Sequence, residues 1–154
     1  QNGFATSVKL HKLYVFGVLH VARASLYKGG KNMRYTMKNN IMSVEINSNG
    51  AEVKSVIKNG VEYMWNANPE YWGRTSPVLF PFVGSLNGGI YKVEDKEYAM
   101  GQHGFARDME FVLTEQSDTR LVFMLSSNEE TLKKYPFEFT LENLLMQLWK
   151  MFLL

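Results

Sequence analysis

No cysteine occurs in the 154 residues. That excludes disulfide staples, thiol catalysis and thiolate metal sites, and it fits a reducing, cytoplasmic setting. Proline is scarce, with four in the chain, so each marks a local break rather than a Pro-rich linker. No apolar run approaches the length of a membrane span, and no membrane partner is expected. Histidine, aspartate and glutamate never fall at metal-ligand spacing, and Gly88-Gly89 reads as a turn rather than a phosphate loop. Neither a metal nor another cofactor is expected. The net charge is only +2, and basic residues beyond Arg34 are interleaved with acids. Nothing there suits nucleic acid.

Acid is also missing from one end. The first carboxylate is Glu45, whereas Lys9, Lys12, Arg23, Lys28, Lys31, Arg34 and Lys38 all precede it. Leu13 to Val21 is apolar behind a basic start, and Ala22-Arg23-Ala24 has the small-x-small form of a cleavage site. A secretory signal is one reading, but Gly17 and His20 interrupt the run. The other reading starts from Lys28-Gly29-Gly30, whose natural codons form a ribosome-binding sequence just ahead of the ATG for Met33. Residues 1–32 are therefore expected to be a translated leader outside the fold, with Met33 as the start. His11 and His20 fall in that segment and are given no role.

What remains is strand-like. Tyr35 to Asn39 and Ile41 to Ile46 alternate and end at Asn47-Ser48-Asn49-Gly50, a turn signal. Ala51 to Lys58 alternates again before Asn59-Gly60, a strong hairpin turn, and Val61 to Trp65 reads as the returning strand. Pro69 to Trp72 suits a single helical turn, and Val78-Leu79-Phe80, framed by Pro77 and Pro81, an extended segment. A hairpin is expected over Ile90–Val93 and Lys96–Met100, and a strand pair over Glu110–Glu115 and Arg120–Ser126. A short helix fits Glu129–Lys134, with a further strand beginning at Phe137. Many short strands at turn-marked spacing predict an all-β sandwich or barrel. Trp65, Tyr71 and Trp72 read first as buried core, with stacking on the face of a ligand as the alternative, and Glu52 and Glu62 as solvated partners across a hairpin.

Two stretches concentrate chemistry. Met100-Gly101-Gln102-His103-Gly104-Phe105-Ala106-Arg107-Asp108 sets an imidazole, a guanidinium and a carboxylate around two glycines. Imidazole exchanges a proton near neutral pH, and guanidinium offers a planar fork to oxyanions or vicinal hydroxyls. Earlier comes Trp72-Gly73-Arg74-Thr75-Ser76-Pro77-Val78-Leu79-Phe80-Pro81-Phe82-Val83-Gly84. Together with Gly50-Ala51-Glu52-Val53 and Gly60-Val61-Glu62-Tyr63-Met64-Trp65, these resemble, in order and spacing, the aldose 1-epimerase (galactose mutarotase-like) superfamily, and in particular its LacX-type branch. The resemblance covers residues 33–142.

The resemblance implies the N-terminal part of a large antiparallel β-sandwich, acting on a small-molecule sugar or sugar phosphate. His103 matches the family histidine that contacts the sugar near the ring oxygen, and is the catalytic candidate. Arg107 matches an arginine that helps to hold substrate in the hexose-phosphate branch. Arg74 lies near another, at an altered distance from the following proline. Asp108 is grouped with these as a substrate-binding candidate and is expected to orient Arg107 or cap the loop rather than do chemistry, and Ser85 stands where many relatives carry arginine. The family's catalytic glutamate and second histidine have no counterpart before Glu142.

Residues 143–154 depart from the family pattern. Back-translated from Leu145 and read two bases later, they encode an alternating, strand-like peptide, so a frameshifted tail is expected here; the competing reading is an apolar helix. On this view the chain is truncated and inactive, with self-association through unpaired strand edges. The alternative function is a non-catalytic carbohydrate-binding remnant.

Overall fold

The computed structural model describes residues 30–146. The expected leader through residue 29, with both of its histidines, and the tail from residue 147 lie outside the described residues. Strands β1 (Arg34–Lys38), β2 (Met42–Asn47), β3 (Glu52–Lys58) and β4 (Val61–Glu62) form one sheet in that order. A hairpin of β5 (Ile90–Val93) and β6 (Lys96–Ala99) follows, and then a sheet of β7 (Val112–Ser117), β8 (Arg120–Ser126) and β9 (Thr140–Met146). Every strand pair is antiparallel. The expected all-β architecture is what forms. Strand β9 pairs with β8 through Met146, and the Asn143 side chain donates to the Ala51 carbonyl at 3.0 Å.

Alternation explains the inward faces. Met37, Val44 and Ile46 are buried, and so are Leu121, Phe123 and Leu125 on β8. The two larger sheets meet where Tyr35 of β1 contacts Phe123 edge-on, with centroids 5.5 Å apart. One apolar cluster runs through both and continues into Phe80, Phe105 and Phe139 beneath the central loops. Phe80 lies 4.8 Å from Phe139 and 5.9 Å from Phe105, so aromatic packing supports those loops from below.

Local signals set the boundaries. Asn59 and Gly60 both take positive φ, 50° and 79°, as a tight hairpin turn between β3 and β4 requires. Helix α1 (Glu129–Lys134) falls where expected. Asn128 caps it, accepting from the N–H groups of Glu130 and Thr131, while Lys133 and Lys134 sit in its last turn. Pro69 to Trp72 closes one turn through Trp72 N–H to the Asn68 carbonyl, 2.9 Å.

Three expectations are corrected. Strand β4 stops at Glu62 instead of reaching Trp65, because the Glu62 carboxylate folds back onto the N–H groups of Val56 and Met64. Trp65, Tyr71 and Trp72 are exposed rather than core, Tyr71 by 74%. Their indole and phenol rings lie on the loop outside the sheet, with Trp65 held by its Nε1–H on the Trp72 carbonyl at 2.8 Å. Glu52 is not solvated but 3% exposed, and the register sets Ile57, not Glu52, opposite Glu62.

Candidate functional site

The loop carrying His103 is laced to the loop carrying Phe80. Phe105 and Ala106 donate their N–H groups to the Phe80 carbonyl at 2.9 and 3.2 Å, beside a cis Phe80–Pro81 peptide. Gly104 touches Phe80 backbone to backbone, and a Cβ there would stand 2.1 Å from the Phe80 oxygen. That contact, at φ 73°, is why glycine is needed. His103 itself has φ 66° and donates its backbone N–H to the Gly84 carbonyl at 2.8 Å. Its Nδ1 accepts the Gly84 N–H at 2.9 Å. A neutral imidazole accepting at Nδ1 carries its proton on Nε2. The backbone of the apolar loop therefore selects the tautomer with its proton on Nε2.

The turn between β2 and β3 grips the other end of the same stretch. Gly50 donates to the Met109 carbonyl at 2.8 Å and Phe111 to the Ser48 carbonyl at 2.9 Å. A Cβ on Gly50 would lie 2.6 Å from the Arg107 oxygen. Arg107 and Asp108 are thus held by backbone on both sides.

Glu52 then places Arg74. Its carboxylate accepts the Thr75 N–H at 2.6 Å, the Thr75 hydroxyl at 2.8 Å and the Ser76 N–H at 3.2 Å. Lys54 approaches it at 2.8 Å. Burial pushes the Glu52 carboxyl up, but the Lys54 ammonium and the Thr75 N–H and hydroxyl outweigh it and hold the group below the usual carboxylate range. The exposed Glu62 is held at about 2 by the Ser55 hydroxyl and by the N–H groups of Met64 and Val56. Residues 74–76 are anchored on β3, and the Arg74 guanidinium reaches back across the loop.

There it meets Asp108. Arg74 donates from Nη2 to the Asp108 carboxylate and from Nη1 to the Arg107 carbonyl, the latter at 3.1 Å. The other Asp108 oxygen lies 3.7 Å from Arg107 Nε, a nitrogen that is buried without a hydrogen-bond partner. One carboxylate sits between two guanidinium groups. Asp108 thus faces Arg107, while its direct bond is to Arg74. A cavity of about 590 Å³ opens alongside, lined by Met100, Gly101, Gly104, Phe105, Asp108 and Lys134 among others. It takes in Asp108 but not His103, Arg74 or Arg107, so it adjoins the cluster rather than defining it. Among the described residues no cluster of His, Cys, Asp and Glu could hold a metal ion, and no helix is long and apolar enough to cross a membrane.

Sequence reasoning missed Glu52 as a positioning group. The signal was present in the Gly50-Ala51-Glu52 wording, but pairing it with Glu62 across a hairpin assigned the side chain to solvent.

Antiparallel sheets carrying these interlocked loops define a galactose mutarotase-like sandwich. A family model described as Aldose 1-epimerase matches residues 33–143. The chain belongs to the aldose 1-epimerase family, on its LacX branch. The chromosomal LacX protein of Lactococcus lactis subsp. lactis is 36% identical over 115 residues, covering 71% of this chain and 38% of the relative. Among solved structures, a galactose mutarotase related enzyme from Lactobacillus acidophilus superposes with a TM-score of 0.74 at 44% identity, covering 75% of this chain and 39% of that one. A galactose mutarotase-like protein from Lactobacillus casei ATCC 334 gives 0.72 at 39% identity, covering 74% and 40%. The chain thus spans about two-fifths of the length of these relatives.

Proposed function

We propose that this chain forms one wall of a sugar site in an aldose 1-epimerase-type enzyme, which interconverts the α and β anomers of a hexose or related sugar. The observation that carries the reading is the Gly84 N–H on His103 Nδ1, which leaves the Nε2 proton to be donated to a ring oxygen or hydroxyl. Mutarotation opens a cyclic hemiacetal and recloses it on the other face of the anomeric carbon. One group protonates the ring oxygen while another removes the anomeric proton. His103 is assigned the ring-oxygen contact, with Arg107, Arg74 and Asp108 as the polar frame. A single imidazole does not supply both transfers, so the 154-residue chain alone is proposed to be inactive. The proposed organisation keeps residues 33–142 as the partial sandwich, with β9 continuing its pairing to β8 through Met146. A cytoplasmic location belongs to the same proposal, supported by the absence of cysteine.

Polarimetry of freshly dissolved α-glucose or α-galactose tests this. The expected result is no acceleration above buffer. In a longer chain that continues with the family's remaining strands, activity is expected, and His103→Ala there is expected to lower it by about 10²- to 10⁴-fold. Robust turnover by the 154-residue chain would show that the two transfers are placed wrongly.

Self-association belongs to the same reading. Val61 is 56% exposed and Tyr63 66%, on and beside a β4 edge of two residues, and Val83 in the loop after Pro81 is 80% exposed. Such surfaces favour association. Light scattering is expected to give oligomers that bind a hydrophobic dye, whereas a monodisperse monomer with no dye signal would contradict this.

A further inference from the structure

We propose that Asp108 is a specificity-determining residue: it bonds Arg74, offsets the charge of Arg107, and so tunes the site to an uncharged sugar rather than a phosphorylated one. The inference rests on the sugar-site reading and deepens it by naming the substrate class. An arginine holds a phosphate best when both terminal nitrogens are free to donate in parallel. Those of Arg74 are both engaged, Nη2 on the Asp108 carboxylate and Nη1 on the Arg107 carbonyl. Arg107 keeps its Nε within 3.7 Å of the second Asp108 oxygen. The carboxylate therefore faces both cations at once, and two positive charges become one in net terms.

Position matters as much as charge. The Asp108 side chain is 57% exposed, against 30% for Arg74 and 23% for Arg107. The negative group is thus the one most open to an arriving ligand, and it borders the adjoining cavity. A phosphoryl group carries nearly two negative charges and would have to approach this carboxylate or displace it from Arg74. A neutral sugar has no such penalty, because its hydroxyls can donate to the Asp108 oxygens and accept from the remaining arginine N–H groups.

The test is equilibrium dialysis of the full chain against radiolabelled inorganic phosphate, which reads binding whether or not the chain self-associates. The wild-type chain is expected to retain no saturable phosphate. Asp108→Asn, which keeps the shape and removes the charge, is expected to show saturable phosphate binding at least about tenfold tighter than the detection limit that bounds the wild-type chain, the size suited to two partly exposed ion pairs. Adding Arg74→Ala to that variant is expected to abolish the gain, which a merely structural role for Asp108 would not do. The proposal is overturned if the wild-type chain binds phosphate as tightly as Asp108→Asn, or if the gain survives loss of Arg74. If Asp108→Asn fails to fold by far-UV circular dichroism, the wild-type chain decides: saturable phosphate binding that disappears in Arg74→Ala overturns the proposal, and its absence upholds it. Dialysis against labelled galactose is a separate arm. Its failure would count against the sugar-site reading while leaving the phosphate result intact.

Discussion

Gly104→Ala is expected to lower folding stability by about 3 kcal/mol, seen as a large drop in the urea midpoint. The added methyl would stand 2.1 Å from the Phe80 oxygen, 2.4 Å from its carbonyl carbon and 2.6 Å from Pro81 Cδ. None of these atoms is the free end of a flexible side chain. The Phe80 carbonyl is fixed by the N–H groups of Phe105 and Ala106, so separating the two loops also breaks those bonds. Gly60→Ala is the control, since Gly60 has nearly the same φ, 79°, with nothing within 4 Å of the added atom. It is expected to cost about 1 kcal/mol, the backbone term alone. Equal midpoints for the two variants would show that the loops do not meet as described.

Glu52→Ala is expected to cost about 2–4 kcal/mol at neutral pH. It leaves the N–H groups of Thr75 and Ser76 and the Lys54 ammonium without their charged acceptor. The sign of the pH dependence follows from the direction of the shift. The folded-state carboxyl lies below its ordinary value of 4.5. Its contribution is therefore present above that value and is lost as pH falls through the folded one. The gap in urea midpoint between the wild-type chain and Glu52→Ala should be widest near neutrality and shrink on acidification to about pH 3. Glu62, held at about 2, titrates in both proteins and cancels in the difference. A gap that stays constant with pH would mean that the buried carboxylate is not what holds residues 74–76. Because Arg74 follows from that anchorage, the variant should also lose the Arg74–Asp108 pair.

Period-two alternation in Met42 to Ile46 and Arg120 to Ser126, the Asn59-Gly60 turn and the Asn128 cap are short-range signals. Each depends on residues a few positions apart, so the strands, hairpins and α1 are legible without knowing the fold. Wording was just as informative: the stretches around Phe80 and His103 carry the family, and the structure lets their backbones touch. Alternation fails at β4 and at the aromatic loop. The Glu62 carboxylate there satisfies the N–H groups that a longer strand would need, and the exposed rings of Trp65 and Trp72 are invisible to a rule that sends large aromatics inward.

What the sequence determined by itself was the β class, most of its turns and the family, because these depend on local periodicity and on the order of short motifs. What only the tertiary structure decided was how charge is shared. Glu52 reads as a surface strand residue until residues 75 and 76, more than twenty positions away, bring two N–H groups and a hydroxyl onto it. Arg74 and Asp108 are separated by 34 positions, and nothing in either neighbourhood specifies that they pair. The tautomer of His103 is likewise set by Gly84, 19 residues earlier. Long-range contacts of this kind arise from where the folded backbones cross, and a linear pattern carries no record of that crossing.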